Sequence, residues 1–271
     1  MGTDTMVRLS AFATVFVLIA VLEAVYPRRR PTVSRWRRWQ ANLAIIALNP
    51  LAARLVVPLL PATLAALAAQ RGWGLLNLID LPLWVEGALA VVVLDLVIYF
   101  QHVLFHAVPT LWRLHMVHHA DLDIDLTTGL RFHPIEIVIS TAIKLAAVAA
   151  IGAPVAAVIV FEVILNAAAM FNHSNWRLLP GVDRLVRLVV VTPDMHRVHH
   201  SVIIRETNSN YGFNLSWWDR LFGTYQAQPL KGHGAMTIGL AAFRDAQRLG
   251  LLRLLAMPFT DDPGRVPINR H

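Results

Sequence analysis

The chain has 271 residues, of which 56% are hydrophobic and only 15% are charged, and its mean hydropathy is +0.53. Soluble domains are usually about 45–50% apolar and about 25% charged, so this composition argues against an ordinary soluble protein. The absence of cysteine excludes disulfides, thiol nucleophiles and Cys-ligated iron–sulfur clusters. The net charge of +7 calls for an anionic partner or surface.

The first apolar run, Met6–Val25, is long enough to cross a bilayer. Positive charges follow the run instead of preceding it, which favours a first transmembrane helix with an outer N-terminus over a signal peptide. We expect these arginines to stay cytoplasmic and to touch anionic head groups. A nucleic-acid patch is the rival reading, but a loop between two spans cannot readily reach a groove. The arginines are Arg28, Arg29, Arg30, Arg35, Arg37 and Arg38.

A second apolar stretch, Ala41–Gln70, is interrupted by Pro50, Pro58 and Pro61. At thirty residues it exceeds one upright span of about 20 residues. The pattern predicts either a kinked or tilted helix, or a span followed by an interfacial piece. Leu81–Phe105 is predicted to be the next span and to return to the arginine side.

Two further apolar segments, Ile135–Ile151 and Pro154–Phe171, flank a Gly-Ala turn and predict a membrane hairpin. Each is roughly 26 Å long as a helix. Lys144 and Glu162 would lie at similar depth, where they can pair. The alternative is that each snorkels or faces a cavity. Trp176–His271 is less apolar and is expected to form a lobe on the arginine side.

Histidine is concentrated in three short clusters that hold eight of the chain's 12 histidines. Imidazole is the commonest protein ligand for transition metals, and one metal takes about four to six ligands, so eight imidazoles suggest two metals. Adjacent histidines on a helix diverge by about 100°, so one cluster can serve two ions. The clusters are His102-x-x-x-His106, His115-x-x-His118-His119 and His196-x-x-His199-His200.

Other residues near the clusters are candidates for the same site. His173, with Asn172 before it, returns to the metal side through the hairpin. His133 is a candidate ligand, a partner of a ligand or a structural cap. Asp95 and Tyr99 share a helix face with the first cluster, where Asp95 can accept a hydrogen bond from a ligand imidazole. The alternative is a buried aspartate that binds Tyr or Trp for structural reasons.

Ligand type alone leaves iron, zinc, copper and nickel open. Eight or nine imidazoles exceed the three protein ligands of a catalytic zinc, so two irons that activate O2 for a lipid are favoured. A zinc-dependent membrane hydrolase remains an alternative, with Asp121 or Asp194 as its base. A metal-binding or metal-transporting membrane protein is the other alternative, although its ligands would lie near the bilayer midplane. His233 and His271 have no such context and are expected to be solvated.

These residues resemble the fatty acid hydroxylase/sterol desaturase superfamily of membrane non-haem diiron enzymes. The resemblance covers roughly Leu81 to Tyr225 and is specific to the superfamily, not to one substrate. One departure is Val103, where many members carry arginine. The segments that carry the resemblance are Asp95-x-x-x-Tyr99-x-x-His102-x-x-x-His106, Leu111–His115, Thr128–Glu136, Thr192–Ser201, Glu206–Gly212 and Trp218–Tyr225.

The resemblance implies an all-α polytopic membrane protein, in which about four transmembrane helices, including the hairpin, are capped by a cytosolic helical lobe. We expect residues 1–271 to form one domain. Residues 6–173 are the membrane region, with a cytosolic His-box segment at 107–134. Residues 174–271 are the lobe, which ends in a loose tail from residue 257. The expected location is the bacterial inner membrane, or the endoplasmic reticulum membrane in a eukaryote, with the His cluster and C-terminus cytoplasmic.

The resemblance also implies the chemistry. Two non-haem irons, O2 and two external electrons would hydroxylate or desaturate an unactivated C–H position of a fatty acyl, sterol, carotenoid or related lipid. A separate ferredoxin or b-type cytochrome would supply the electrons. The arginine-rich loop with Arg197, Arg205 and Arg220 is a candidate docking surface for it, although a solvated basic face near lipid is the plainer interpretation. Tyr211, Trp217 and Trp218 would wall the site, anchor the lobe or serve as core. The implied iron ligands are His102, His106, His115, His118, His119, His173, His196, His199 and His200.

Overall fold

The computed structural model describes residues 3–264 and residue 266, and this part of the chain is helical without a named strand. The all-α class predicted from the sequence is confirmed. The helices are α1 (Thr3–Val25), α2 (Arg35–Val56), α3 (Pro61–Arg71), α4 (Leu83–Ala107), α5 (Pro109–His119), α6 (Pro134–Ile151), α7 (Val155–Asn172), α8 (Pro180–Val186), α9 (Pro193–His199), α10 (Ile204–Thr207), α11 (Trp217–Leu221), α12 (Gly232–Ala235) and α13 (Leu251–Thr260).

Five helical stretches in the described residues are long and apolar enough to cross a membrane, one more than the approximate count of four. A multi-pass membrane protein is therefore the architecture. The stretches are Thr5–Val25, Arg35–Leu78, Leu83–Ala107, Pro134–Ile151 and Val155–Asn172.

The second stretch is not one continuous helix, because α2 ends at Val56 and α3 begins at Pro61. Proline lacks an N–H and disfavours helix in the residue before it, so Pro58 and Pro61 interrupt the ladder. Pro61 then occupies the first position of α3, where its missing N–H costs nothing. Pro50, in contrast, is tolerated inside α2.

The predicted hairpin is formed by α6 and α7, and its central charges pair as the sequence suggested. Lys144 Nζ lies 3.3 Å from Glu162 Oε1. Arg8 of α1 binds the other oxygen of Glu162. An ion pair lowers the high cost of charge within the membrane region, and this one also fixes α1 against the hairpin.

A buried ion network holds the segment after α5 against α2. Arg38 Nε lies 2.6 Å from Asp121 Oδ1, and Arg38 Nη1 lies 2.6 Å from Asp125 Oδ2. Arg131 adds a second cation, 3.3 Å from Asp121. Burial opposes ionisation, but these two guanidinium groups outweigh it and hold the pKa of Asp121 below its usual range. The expectation that Arg38 touches head groups is wrong, because its side chain neutralises buried carboxylates instead.

The C-terminal part of the lobe closes over α5, so the predicted loose tail is wrong for the residues that are described. Helix α13 packs against α5 and α2, with Leu254 and Met257 buried. Trp112 Nε1 donates a 2.9 Å hydrogen bond to the Pro263 carbonyl. Residues 265 and 267–271, including His271, lie outside the described part.

A tight contact at the far end of the hairpin gives a test of this packing. A Cβ on Gly74 would lie 2.1 Å from Gly152 N and 2.6 Å from Ala149 O, whereas a Cβ on Gly72 meets nothing within 4 Å. Both glycines have positive φ. We expect Gly72→Ala to cost about 1 kcal/mol of stability, and Gly74→Ala to cost at least about 2 kcal/mol more because the hairpin turn must move. Thermal unfolding in detergent measures both, and equal losses would contradict the close packing.

Candidate metal centre

The nine predicted histidines converge at one end of the helical bundle in two buried groups. Within each group, one nitrogen from every imidazole lies within 4.8 Å of the others. The first group is His102, His106, His115, His119 and His199, and the second is His118, His173, His196 and His200.

Short helices and caps direct these side chains inward. In α4, the four-residue spacing places His102 and His106 on one face. Helix α9 begins at Pro193, where the Thr192 side chain accepts a hydrogen bond from Met195 N. His173 is the C-cap of α7. The end of α7 approaches the 3₁₀ turn Thr128–Leu130 so closely that a Cβ on its central glycine would lie 2.2 Å from the Ala169 oxygen.

The first group has a consistent tautomer. His102 and His199 donate from Nδ1 to the carbonyl oxygens of Tyr211 and Ser209, at 2.8 and 2.7 Å. His106 Nδ1 lies 3.1 Å from Asn208 Oδ1, which must be an acceptor because the Asn208 amide nitrogen donates to another carbonyl. With Nδ1 protonated, each Nε2 presents a lone pair and has no hydrogen-bond partner.

His115 completes this pattern, with Nδ1 lying 2.6 Å from Glu136 Oε1 and Nε2 unpartnered. Neither nitrogen of His119 has a hydrogen-bond partner. Buried polar atoms without partners are costly and rare. A cation shared by the free nitrogens would satisfy them, so the first group fits a metal ion.

The second group fits a cation for a related reason. His173 Nδ1 donates to the Ala169 carbonyl at 2.8 Å, so its Nε2 presents a lone pair. His118 Nε2 and His196 Nε2 lie 3.1 and 3.0 Å from this atom. The lone pair of His173 Nε2 can accept a hydrogen bond from only one of these two nitrogens. Both nitrogens of His200 also lack hydrogen-bond partners. A metal ion would satisfy this convergence.

Burial keeps the imidazoles in the neutral form that binds metals. Desolvation lowers the pKa of His115 to about 3 and that of His173 to about 3. The pKa values of His118, His196 and His200 are also lowered by burial and by neighbouring histidines. These nitrogens therefore do not need to lose a proton before they bind a cation at neutral pH.

Two residues that position these imidazoles were missed in the sequence. Glu136 and Asn208 accept hydrogen bonds from His115 and His106. Glu136 carried a usable signal, because a carboxylate in the first turn of a membrane helix needs a partner. Asn208 lies 102 residues from His106 and carried no local signal.

Four other predicted positions lie beside the two groups. Asp95 accepts from Trp218 Nε1 at 2.8 Å and from two backbone N–H groups, which matches the structural alternative and ties the lobe to α4. Tyr99 bonds Thr224. The Asn172 amide nitrogen donates to the Phe213 carbonyl. His133 is the cap of α6, accepting from Ile135 N.

The aromatic candidates divide between wall and surface. The ring of Tyr211 lies 5.1–5.5 Å from three histidines of the first group, so it is part of the wall. Trp218 is buried beside it, whereas Trp217 is exposed.

His233 is buried, so the expectation that it is solvated is wrong.

A cavity of about 640 Å³ is lined both by histidines of the first group and by the membrane helices. His102 and His115 are the histidines in its wall. Most of its wall is apolar, and residues from α1, α2, α4, α6 and α7 contribute to it. The helix break between α2 and α3 also lines it, which agrees with the rule that irregular backbone at membrane depth occurs where it borders a cavity.

Fold and site together define a polytopic membrane protein with a buried polyhistidine site suited to metal binding. Residues 87–224 match the sequence profile of the family "Fatty acid hydroxylase". The chain belongs to the fatty acid hydroxylase family, as the resemblance predicted. No solved structure matches the chain.

Several characterised proteins are similar to the chain. Ornithine lipid hydroxylase OlsE from Rhizobium tropici is 30% identical over 179 residues, which are 66% of this chain and 52% of the relative. Alkylglycerol monooxygenase from Homo sapiens is 29% identical over 58% of this chain and 34% of the relative. The Xenopus tropicalis enzyme of that name is 30% identical over 65% and 39%. The chain thus spans about half or less of the length of these relatives.

The hydrogen bond between Glu136 and His115 predicts a graded effect on metal binding. Glu136→Ala leaves the imidazole without its acceptor, so we expect metal affinity to fall by about 10- to 100-fold. Glu136→Gln keeps an acceptor oxygen and should lose less. Metal titration of the purified, metal-depleted protein measures both variants. Unchanged affinity in Glu136→Ala would remove Glu136 from this positioning role.

Proposed function

We propose that the chain is an integral-membrane oxygenase that hydroxylates an unactivated C–H position of a polar lipid with O2, two electrons and two non-haem irons. The observation that carries the proposal is the pair of buried histidine groups at the end of a largely apolar cavity. In this proposal all nine histidines are ligands, five for one iron and four for the other. The hydroxylase and monooxygenase relatives support hydroxylation over desaturation.

When bound, the two irons would supply the reductive activation of O2 and the oxidation of the C–H bond. The protein's own contribution is to hold neutral ligands, to exclude water and to place the lipid. Tyr211 closes the site behind His102 and His106. Phe105, Phe132 and the other apolar side chains of the cavity would hold an alkyl chain in register with His102 and His115.

The zinc hydrolase alternative needs a free carboxylate base beside the metal. Asp121 is held by Arg38 and Arg131, and Asp194 by Arg28 and Arg197. Neither aspartate belongs to a histidine group, and the nearby carboxyl of Glu136 is engaged by His115 Nδ1. The transporter alternative needs ligands near the middle of the spans, whereas these ligands lie at helix ends and in short helices after them. Both alternatives are therefore less well supported.

The substrate proposal is a lipid that combines a long chain with a polar group. Ornithine lipids and alkylglycerols, in the names of the relatives, have this character. Polar side chains in the cavity wall, among them Asn49 and Gln101, include buried oxygens without hydrogen-bond partners. Such acceptors suit a lipid with hydroxyl, amine or amide hydrogens near the reacting carbon.

A separate redox protein, a ferredoxin or a b-type cytochrome, is proposed as the electron donor. Arg205 and Arg220 are exposed and remain candidates for its docking. Arg197 does not, because it is fully buried and paired with Asp194. We further propose that the histidine end of the bundle faces the cytoplasm and that residues 1–271 act as one domain, with membrane, His-box and lobe segments as predicted.

Isotope labelling tests the reaction class. Cells or membranes that contain the protein, supplied with labelled O2, should yield a hydroxylated lipid with one labelled oxygen atom by mass spectrometry. Labelled water should contribute none. His118→Ala should abolish the product, and His133→Asn, which retains a capping acceptor, should keep it. A hydroxyl oxygen derived only from water would contradict the oxygenase, whereas cleavage of the lipid with oxygen from water would indicate a hydrolase. Product formation by His118→Ala would remove His118 from the ligand set.

A further inference from the structure

A second, strongly basic pocket lies where two of the membrane helices end. Its volume is about 310 Å³. Arg177 N donates a 2.8 Å hydrogen bond to Tyr26 O, and Pro27 pairs with Trp176. These residues follow directly after α1 and α7. Both helices are candidate spans, so we expect the pocket beside their ends to lie at the level of lipid head groups.

The pocket has an excess of positive charge. Asp194 pairs with Arg28 at 3.0 Å, and Asp183 pairs with Arg187 at 2.5 Å. Four arginines against two aspartates leave an excess of two positive charges, since burial lowers the pKa of His233 to about 4 and keeps it neutral. Within the described residues, Arg177 and Arg184 make no ion pair and are exposed. The basic residues of the wall are Arg28, Arg177, Arg184, Arg187 and His233.

Buried polar atoms in the pocket also lack partners. His233 is only 6% exposed, and neither of its ring nitrogens makes a hydrogen bond. Arg187 is 7% exposed, and its Nε is unpartnered. Unsatisfied buried donors are costly, so the pocket suits a ligand that supplies several acceptor oxygens.

Apolar side chains beside the pocket point to a membrane ligand. Leu179, Val182 and Leu185, on α8 and just before it, are 71%, 44% and 69% exposed. Their spacing of three residues places them along one side of this helix. An apolar strip of this kind beside arginines is typical of a helix that lies in the membrane interface.

We propose that this pocket binds the phosphate of an anionic phospholipid, while the leucines beside it enter the acyl region. The arginines offer the charge-assisted donors that phosphate prefers. The site is separate from the two histidine groups and does not depend on the proposed oxygenase reaction. It does adjoin them, because Asp194 and Arg197 form an ion pair on α9, where Arg197 lies between His196 and His199.

Native mass spectrometry of the full chain in a neutral detergent tests the site with phosphatidylglycerol, phosphatidylcholine and inorganic phosphate. The double variant Arg177→Gln/Arg184→Gln should bind phosphatidylglycerol roughly 30-fold more weakly. The matched control Arg71→Gln/Arg253→Gln removes two exposed arginines elsewhere and should bind as the wild type does. Unchanged metal content in all variants confirms that the lobe is intact.

The remaining binding measurements distinguish a lipid phosphate from free inorganic phosphate. Phosphatidylcholine should bind more weakly than phosphatidylglycerol, and Leu179→Gln/Leu185→Gln should weaken phosphatidylglycerol while leaving inorganic phosphate unaffected. Inorganic phosphate that binds as tightly as the anionic lipid would overturn the lipid assignment. Wild-type lipid affinity in Arg177→Gln/Arg184→Gln would overturn the site. Loss of binding to an acidic redox protein in that variant, with lipid affinity unchanged, would assign the arginines to a protein partner instead.

Discussion

Nine imidazoles are buried together at one end of the helical bundle. The surrounding structure must offset the free-energy cost of removing their ring nitrogens from water. Buried imidazole is neutral, and each ring must then satisfy two nitrogens of different character. The protein supplies acceptors for one nitrogen of five histidines: three backbone carbonyls, one carboxylate and one amide. The nitrogens that remain lie close together in two groups, where a bound cation would satisfy them.

The elements that supply these acceptors come from distant parts of the chain. Tyr211, Asn208 and Ser209 belong to the lobe, whereas Glu136 belongs to α6 and Ala169 to α7. The lobe must therefore dock firmly on the membrane helices. Asp95 of α4 makes this contact from within the span, and the buried ion network around Asp121 fixes the segment between α5 and α6. These buried carboxylates, one in a span and one in the segment after α5, thus help to hold the histidine groups in position.

Much of this arrangement was predictable from the sequence, because its signals are local. Four of the spans were predicted from long apolar runs. The spacing within each histidine cluster predicted which imidazoles share a helix face. Lys144 and Glu162 were predicted to pair because a hairpin places equal distances from its turn at equal depth. Proline positions in Ala41–Gln70 left two readings open, and only the structure placed the break between Val56 and Pro61.

The remaining features depend on contacts between distant residues. The acceptor for His106 lies 102 residues away, and nothing near Asn208 indicates that role. His233 was expected to be solvated because it belongs to no histidine cluster, yet it is buried beside Asp194. Arg38 was expected to lie on a basic surface with the neighbouring arginines. The sequence of an arginine-rich run does not show which of its side chains pairs with buried carboxylates. Composition also could not show that α13 packs on α5.

The central claim is that the two histidine groups hold two coupled irons. The most direct measurement is metal analysis followed by Mössbauer spectroscopy on protein purified in detergent and loaded anaerobically with isotopically enriched iron. We expect two irons per chain, which couple antiferromagnetically in the oxidised protein. Fewer than about one iron per chain, or isolated irons without coupling, would contradict it.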